Sequence, residues 1–267
     1  MLSQVQPPLE GKSLVVIGGT TGIGVSAAKA FVTAGARVVC VGRNPDSVAS
    51  AQAQLGVGAV VVSGDATITD TASGAIEVAL ERHGRFDGLY HVAGGSGRRM
   101  GDGPLHELTD EGWRWTFDLN LTSLMMSNRA AVRQFLKQGT GGTILNMGSV
   151  LGYSPSPKFF ATHAYAATKS AIIGFTQSIA AYYAEVNIRV NVLAPALVET
   201  PMAQRAANDE TILRFIASKQ PLDGGRIGSP EDLDAAAVFF MSDGSRFCTG
   251  QVLSVDGGWS VSEGQYA

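Results

Sequence analysis

Two kinds of segment alternate along the whole chain, and this alternation constrains the fold more than any other feature. Seven short runs rich in Val, Ile and Leu fit buried strands. They lie at residues 13–18, 37–41, 59–63, 88–92, 143–147, 189–193 and 251–255. The stretches between them, such as 24–34, 46–55 and 70–83, have the Ala, Gln, Leu and Glu content typical of helices. This rhythm predicts an α/β protein with a doubly wound, parallel, seven-stranded sheet covered by helices on both faces.

Residues 1–267 are predicted to form a single domain. The short segments 101–104 and 154–157 are typical of loops rather than linkers, and the sequence has neither repeats nor low-complexity stretches. A hydrophobic content of 45% in 267 residues suffices for a sizeable core.

Composition argues against several kinds of partner and site. With 20 Lys and Arg against 23 Asp and Glu, the chain has no positive field to hold nucleic acid. The best candidate for a membrane helix, the apolar run 235–241, is far shorter than the roughly 18 residues that such a helix needs. Residues 1–10 lack the features of a secretory signal, so we expect a cytoplasmic protein. Cys40 and Cys248 are expected to be buried free thiols, and the histidines and cysteines show no metal-ligand spacing.

A glycine-rich segment, GGTTGIG at 18–24, follows the first strand and opens the next helix. Glycines let a backbone approach a pyrophosphate, and the N–H groups of a helix N-terminus favour its negative charge. In this strand–turn–helix context the motif indicates a dinucleotide site, although a tight turn that only packs helix on strand would look similar. The predicted cofactor contacts here are Gly18, Thr20, Thr21, Gly22, Ile23 and Gly24.

The spacing Gly-x-x-x-Gly-x-Gly resembles that of the short-chain dehydrogenase/reductase family, whose pattern begins with a threonine where this chain has Ile17. The resemblance covers about residues 9–259. It implies a Rossmann-type fold and an NAD(P)-dependent enzyme acting on CH–OH or C=O groups. Within the family, the chain is similar to the single-domain subgroup of about 250 residues, such as the β-ketoacyl-acyl carrier protein reductases and related carbonyl reductases.

The end of the second strand bears on the choice of cofactor. Arg43 and Asn44 stand where NAD-binding folds place an acidic residue, and a guanidinium can pair with a 2′-phosphate. NADP(H) is therefore preferred, while NAD(H) stays possible because Arg43 could be a solvated loop residue. By resemblance, Asp65 contacts the adenine amino group, with the Ala66 main chain alongside.

Tyr165 and Lys169 are spaced i, i+4 on a predicted helix, which puts phenol and ammonium on one face. Alone this pair is common on exposed helices. Here it follows a strand that leads to Ser149, and ligands in such sheets bind beyond the carboxyl ends of the strands. The position therefore favours a catalytic site.

The resemblance assigns a role to each member of this site. Ser149 holds the substrate oxygen and Tyr165 is the general acid/base. Lys169 lowers the pKa of Tyr165 and binds the nicotinamide ribose, and Asn120 anchors a water for proton relay.

Further matches extend along the chain. The segment 91–94 (HVAG), with Ala93 and Gly94, and the strand end at Pro195 correspond to cofactor-contacting segments. Val198 and Thr200 correspond to the residues that fix the nicotinamide carboxamide. The chain departs from the family in lacking both asparagines at 91–92, in having Ala196 after Pro195, and in a longer interval between Ser149 and Tyr165.

Two stretches, 94–100 and 152–163, are expected to frame the substrate. Arg98 and Arg99 could bind an anionic group, or be solvated, or pair with acids of a neighbouring subunit. Phe159 and Phe160 could line an apolar pocket or cover the edge of the core.

Three further regions bear on a lid over the site and on the assembly of several copies of the chain. Residues 200–219 are predicted to be helical and, by resemblance, to act as a lid. The resemblance also implies a homotetramer built on helices at 110–137 and 161–185.

These features predict an NADP(H)-preferring carbonyl reductase or alcohol dehydrogenase that acts on a small or medium-sized carbonyl compound. The alternatives are an NAD-dependent dehydrogenase of a sugar, sterol or polyol, and a non-catalytic protein that senses the cofactor.

Overall fold

The structure, a computed structural model, describes residues 6–265. Its centre is a seven-stranded sheet in which every neighbouring pair is parallel, in the order β3-β2-β1-β4-β5-β6-β7. The strands are β1 Ser13–Ile17, β2 Arg37–Gly42, β3 Ala59–Ser63, β4 Gly88–His91, β5 Gly142–Met147, β6 Ile188–Pro195 and β7 Val252–Val255. All seven predicted strands and the parallel sheet are confirmed.

Helices connect the strands. They are α1 Gly22–Thr33, α2 Pro45–Leu55, α3 Thr71–His83, α4 Asp110–Phe117, α5 Ser123–Gln138, α6 His163–Tyr183, α7 Gln204–Ala207, α8 Glu210–Lys219 and α9 Asp234–Met241. The prediction of one helix across 200–219 is wrong. The short helix α7 ends at Ala207, with Asn208 as its C-cap residue. Asp209 then begins α8 as the N-cap residue, because its carboxylate accepts the backbone N–H groups of Thr211 and Ile212 at 2.9 and 3.1 Å.

The sheet is buried on both faces. Along β1, Leu14 and Val16 pack on the side of α1 and α9, whereas Val15 and Ile17 pack on the side of α3 and α5. Successive side chains of a strand point to opposite faces, so a strand covered on both sides must be apolar throughout. This explains the unbroken hydrophobic runs in the sequence.

The two cysteines have different environments. Cys40 is fully buried in β2, and burial raises the pKa of its thiol to about 12. Cys248 is only half-buried, so the expectation of two buried thiols is wrong for it. It lies in the loop before β7.

The strand order reverses between β1 and β4, which are neighbours in the sheet but distant in sequence. The chain segments that leave these two strands diverge to opposite sides and open a crevice at the carboxyl edge of the sheet. The glycine-rich turn and the segment after β4 border this crevice.

No helix among residues 6–265 is long and apolar enough to cross a bilayer.

Candidate active site

The glycine-rich turn is shaped by close backbone contacts. Gly18 has φ +85°, and a Cβ there would lie 2.6 Å from the backbone nitrogen of Ala93. A Cβ at Gly24 would collide with the carbonyl oxygen of Gly18. The turn therefore brings the ends of β1 and β4 and the start of α1 together, and only glycine fits at these positions.

The N-terminus of α1 is equipped to bind an anion. Thr21 is its N-cap residue, but the Thr21 side chain makes no capping hydrogen bond, and the first turn contains no acidic residue. The N–H groups and the helix dipole are thus left to a ligand. A Cβ at Gly22 would lie 3.1 Å from Cγ2 of Thr200, so the segment after β6 borders the same cradle. These features fit the pyrophosphate of a dinucleotide.

Other predicted cofactor residues have their side chains occupied within the protein. The Thr20 hydroxyl accepts a hydrogen bond from Ser47 at 3.2 Å and packs against Gly42. The side-chain oxygen of Asn44 caps α2 by accepting the N–H groups of Asp46 and Ser47. The half-buried Ile23 side chain packs against the core. These three residues border the crevice, while their side chains serve the fold.

Arg43 and Asp65 meet where β2 and β3 end. An Arg43 guanidinium nitrogen lies 3.5 Å from a carboxylate oxygen of Asp65, with the arginine side chain 69% exposed. The other oxygen of Asp65 accepts the backbone and hydroxyl hydrogens of Thr67. The backbone hydrogen bond from Thr67 is the main reason that the pKa of Asp65 is lowered, and Arg43 lowers it further. Ala66 is half-buried beside them.

The chain after β6 lies across the crevice. Pro195 is the last residue of β6, and Val198 pairs with Gly228 in an isolated parallel bridge. The Thr200 hydroxyl donates to the Val198 carbonyl at 3.4 Å, which turns this segment toward the glycine-rich turn. The predicted contacts Pro195, Val198 and Thr200 are thus brought together at one wall of the site.

Ser149, Tyr165 and Lys169 come from the end of β5 and the first turns of α6. The Ser149 hydroxyl accepts the N–H of Leu151 at 3.2 Å, which fixes the turn that follows the strand. Lys169 Nζ donates to the carbonyl oxygen of Met147 at 2.8 Å and lies 5.4 Å from the centre of the Tyr165 ring. All three side chains are almost completely buried.

Burial controls the charges of this group. It raises the pKa of Tyr165 to about 12, and a hydrogen bond with Ser149 opposes that shift. Burial also lowers the pKa of Lys169 to about 7. Burial and Ser149 are the two influences on the pKa of Tyr165 here, and the expected lowering of this pKa by Lys169 stays a prediction.

Asn120 lies in a π-helical turn, Asp118–Thr122, between α4 and α5. Its amide donates to the carbonyl oxygens of Gly95 and Thr116 at 2.9 and 2.8 Å, and its oxygen accepts the N–H of Gly95 at 3.0 Å. A Cβ at Gly94 would lie 2.8 Å from Asn120 Oδ1 and 3.6 Å from Lys169 Nζ. Asn120 thus borders Lys169, and its oxygen keeps one lone pair for a further donor.

The structure adds a functional residue that sequence reasoning missed. Both carboxylate oxygens of the buried Asp102 accept backbone N–H groups at the start of α6, from Ala164 at 3.0 Å and Tyr165 at 2.9 Å. Asp102 therefore caps the helix that carries Tyr165 and Lys169. No local signal could have found it, because capping patterns are read from adjacent residues, and this cap comes from a distant loop.

His91 is a second unexpected feature. It ends β4 at one of the positions where the family has asparagine, it is fully buried, and its ring nitrogens lie 3.0 Å from the Ser127 hydroxyl and 3.3 Å from that of Ser123. Burial, and to a smaller extent the charge of Lys169, lowers the pKa of His91 to about 3. His91 is therefore neutral and links β4 to α5 beneath the site.

The two phenylalanines of the predicted substrate region join an aromatic cluster. Phe159 packs on Phe215 of α8 at 5.1 Å between ring centres, and Phe160 packs on Trp259 at 5.7 Å. The indole N–H of Trp259 donates to the carbonyl of Ser154 at 3.2 Å. The segment before Tyr165 is thereby attached to α8 and to the end of the chain.

Within 6–265, no three His, Cys, Asp or Glu side chains gather as a metal site would require.

Comparisons with known proteins agree with this geometry. The profile of the family described as Enoyl-(Acyl carrier protein) reductase matches residues 18–260. The 3beta-hydroxysteroid dehydrogenase 2 of Eggerthella lenta is 32% identical and covers 96% of this chain and 97% of its own length. The 3-oxoacyl-acyl-carrier-protein reductase of Chlamydia trachomatis is 35% identical, with coverages of 94% and 98%.

A solved structure shares the fold. The short-chain type dehydrogenase/reductase from Mycobacterium ulcerans superposes with a TM-score of 0.87 at 33% identity, covering 96% of this chain and 92% of that one. The shared architecture extends over nearly the whole length of both chains.

Proposed function

The chain belongs to the short-chain dehydrogenase/reductase family of oxidoreductases acting on alcohols and carbonyls, and we propose that it is an NADP(H)-preferring carbonyl reductase. One observation carries the proposal. The buried Tyr165 hydroxyl stands with Ser149 and Lys169 at the carboxyl edge of the sheet, beside the glycine-rich cradle. A tyrosine hydroxyl that is hydrogen-bonded to Ser149 can give a proton to a bound carbonyl oxygen, which is what carbonyl reduction needs.

In this proposal each residue has one task. The bound nicotinamide supplies the hydride for reduction, or accepts it in the reverse direction. Ser149 and Tyr165 hold the substrate oxygen, and Tyr165 gives its proton to that oxygen. Lys169, anchored on the Met147 carbonyl, keeps donors for a ribose hydroxyl. The remaining lone pair of the Asn120 oxygen can hold a water that passes protons toward Lys169.

The preference for NADP(H) rests on Arg43. It follows β2 where a carboxylate would otherwise accept the ribose hydroxyl, and its exposed guanidinium pairs only loosely with Asp65. A 2′-phosphate is a stronger partner for a guanidinium than a screened carboxylate at this distance.

The affinities of the purified protein for NADPH and NADH test this assignment. We expect NADPH to bind about tenfold tighter, which corresponds to ~1.4 kcal/mol. Arg43→Ala should remove most of this difference and leave the NADH affinity unchanged. Arg37→Ala is the matched control, because Arg37 lies at the opposite end of the same strand, and it should keep the preference. Tighter binding of NADH than of NADPH by the wild type would overturn the proposal.

An NAD-dependent dehydrogenase of a sterol, sugar or polyol is the second candidate. It is favoured by the carboxylate of Asp65 next to Arg43 and by similarity to proteins such as the 3beta-hydroxysteroid dehydrogenase 2 of Eggerthella lenta. Initial rates in both directions, with both cofactors, on ketones and on secondary alcohols including a 3β-hydroxysteroid separate the two candidates. Faster turnover with NAD and an alcohol would favour the second.

A protein that binds the cofactor without turnover is the third candidate. The presence of Asn120, Ser149, Tyr165 and Lys169 argues against it, since a binding protein has no use for a buried proton donor beside the nicotinamide. Failure of every member of a broad carbonyl panel to turn over would favour this candidate.

We also propose a cytoplasmic homotetramer. Exposed apolar side chains at Leu136, Tyr182 and Val186 lie at the ends of α5 and α6, which fits burial against another copy. Light scattering coupled to size-exclusion chromatography measures the mass, and a monomer would contradict the proposal.

A further inference from the structure

Two arginines come from opposite walls of the expected substrate cleft. Arg98 lies in the short turn Gly97–Met100 after β4, and Arg205 lies in α7 of the lid segment. These walls touch each other, because the backbone N–H of Ser96 lies 3.3 Å from the sulfur of Met202. The contact brings the turn that carries Arg98 against the lid segment that carries Arg205.

Arg205 is held against the segment that leads to Tyr165. Its guanidinium donates to the carbonyl oxygen of Phe159 at 3.0 Å and lies 6.0 Å from the centre of the Phe160 ring. The remaining N–H groups of Arg205 stay exposed to solvent. Its position is thus fixed by the protein while most of its donors are left for another partner.

The charges at this place are unbalanced. The pKa of Arg98 is lowered by burial and next by the positive charge of Arg205, which shows that the two guanidinium groups repel each other. Asp102 is the acid that acts on Arg98, but both of its oxygens already accept backbone N–H groups of α6. Within residues 6–265 neither arginine forms an ion pair.

We propose that Arg98 and Arg205 bind a carboxylate of the substrate, so that the preferred substrates are oxo acids. Two guanidinium groups carried by segments that touch can each donate paired hydrogen bonds to one carboxylate, and the anion would offset their like charges. The neighbouring Phe160 ring offers an apolar surface to the carbon chain between carboxylate and ketone. This inference rests on the proposed reductase function.

The test compares a homologous series of straight-chain oxo acids with their methyl esters, using NADPH and the full chain. For the acid whose length fits, we expect kcat/KM to exceed that of its ester about tenfold or more. Arg98→Ala and Arg205→Met should lower kcat/KM for acids more than for esters and bring this ratio close to one. Methionine keeps an apolar side chain against the Phe160 ring, which separates loss of charge from loss of packing.

Two further variants sharpen the result. Arg214→Ala removes a positive charge from α8, where the guanidinium bonds Thr211 within its own helix, and should keep the full preference for acids. Arg98→Glu should invert the preference, so that the ester becomes the better substrate.

The outcomes separate this inference from the proposed function. Equal kcat/KM for every acid and its ester in the wild type would overturn the carboxylate site and leave the reductase proposal standing. No turnover of acids, of esters or of any other member of a broad carbonyl panel would overturn the reductase proposal itself. A phosphorylated ketone preferred over every oxo acid would overturn the carboxylate as the recognised group.

Discussion

The carboxylate of Asp102 accepts the backbone N–H of Tyr165 at 2.9 Å across 63 positions of sequence. The helix that carries Tyr165 is thus anchored at its first turn to the loop after β4. A carboxylate at a helix N-terminus also interacts favourably with the helix dipole. Asp102 therefore acts as a positioning residue, through the helix rather than on the substrate.

Replacing Asp102 tests this role. We expect Asp102→Ala to lower the free energy of unfolding by about 1–3 kcal/mol, because two N–H groups lose a charged acceptor. It should also lower kcat more than it weakens NADPH binding, and Asp102→Asn, which keeps one acceptor oxygen, should recover part of kcat. Asp70→Ala is the control, since Asp70 stands at the N-cap of α3 without a capping hydrogen bond. Equal effects of the two alanine variants on stability and kcat would contradict the prediction.

Replacing Tyr165 by phenylalanine removes only the hydroxyl. We expect kcat to fall by about 10²- to 10⁴-fold, the usual contribution of a general acid, with NADPH affinity unchanged because the ring remains. Tyr182→Phe, on the exposed side of the same helix, should retain full activity. Stopped-flow or steady-state absorbance of NADPH measures both. Unchanged turnover in Tyr165→Phe would remove the basis for the proposed chemistry.

Two helical glycines form a matched pair. A Cβ at Gly24 of α1 would collide with the Gly18 carbonyl, whereas a Cβ at Gly74 of α3 would meet nothing within 4 Å. Gly24→Ala should therefore destabilise the protein and abolish NADPH binding. Gly74→Ala should stabilise it by up to about 1 kcal/mol, the difference in helix propensity. Calorimetric titration and thermal unfolding measure the two effects, and wild-type NADPH affinity in Gly24→Ala would refute the close contact.

His91 predicts how stability depends on pH. In the folded protein the pKa of His91 is lowered from the ordinary 6.5 to about 3. As the pH falls, the unfolded chain therefore binds a proton at His91 before the folded protein does. The contribution of His91 to the free energy of unfolding is fully present above about pH 6.5. It is lost toward pH 3, by up to about 1.4 kcal/mol per pH unit. Urea unfolding of wild type and His91→Asn should show that the free energy of unfolding falls less steeply with decreasing pH in the variant.

The control is His106→Asn, because the His106 side chain is 80% exposed and should not change the slope. If wild type and His91→Asn lost stability equally on acidification, the burial of a neutral histidine would not be the cause.

Sequence alone determined the parallel sheet, the glycine-rich turn and the residues Ser149, Tyr165 and Lys169. These features depend on local patterns: strands buried on both faces must be continuously apolar, a phosphate cradle must follow a strand with glycines, and an i, i+4 pair must share a helix face. Such requirements act on neighbours in sequence, so the sequence expresses them directly.

Tertiary structure decided the burial of Tyr165 and Lys169, the cap from Asp102 and the contact between the segments that carry Arg98 and Arg205. Each depends on segments that are distant in sequence and adjacent only after folding. Burial is a property of everything packed around a group. For this reason the environment of Lys169 became known only once the sheet and helices had enclosed it.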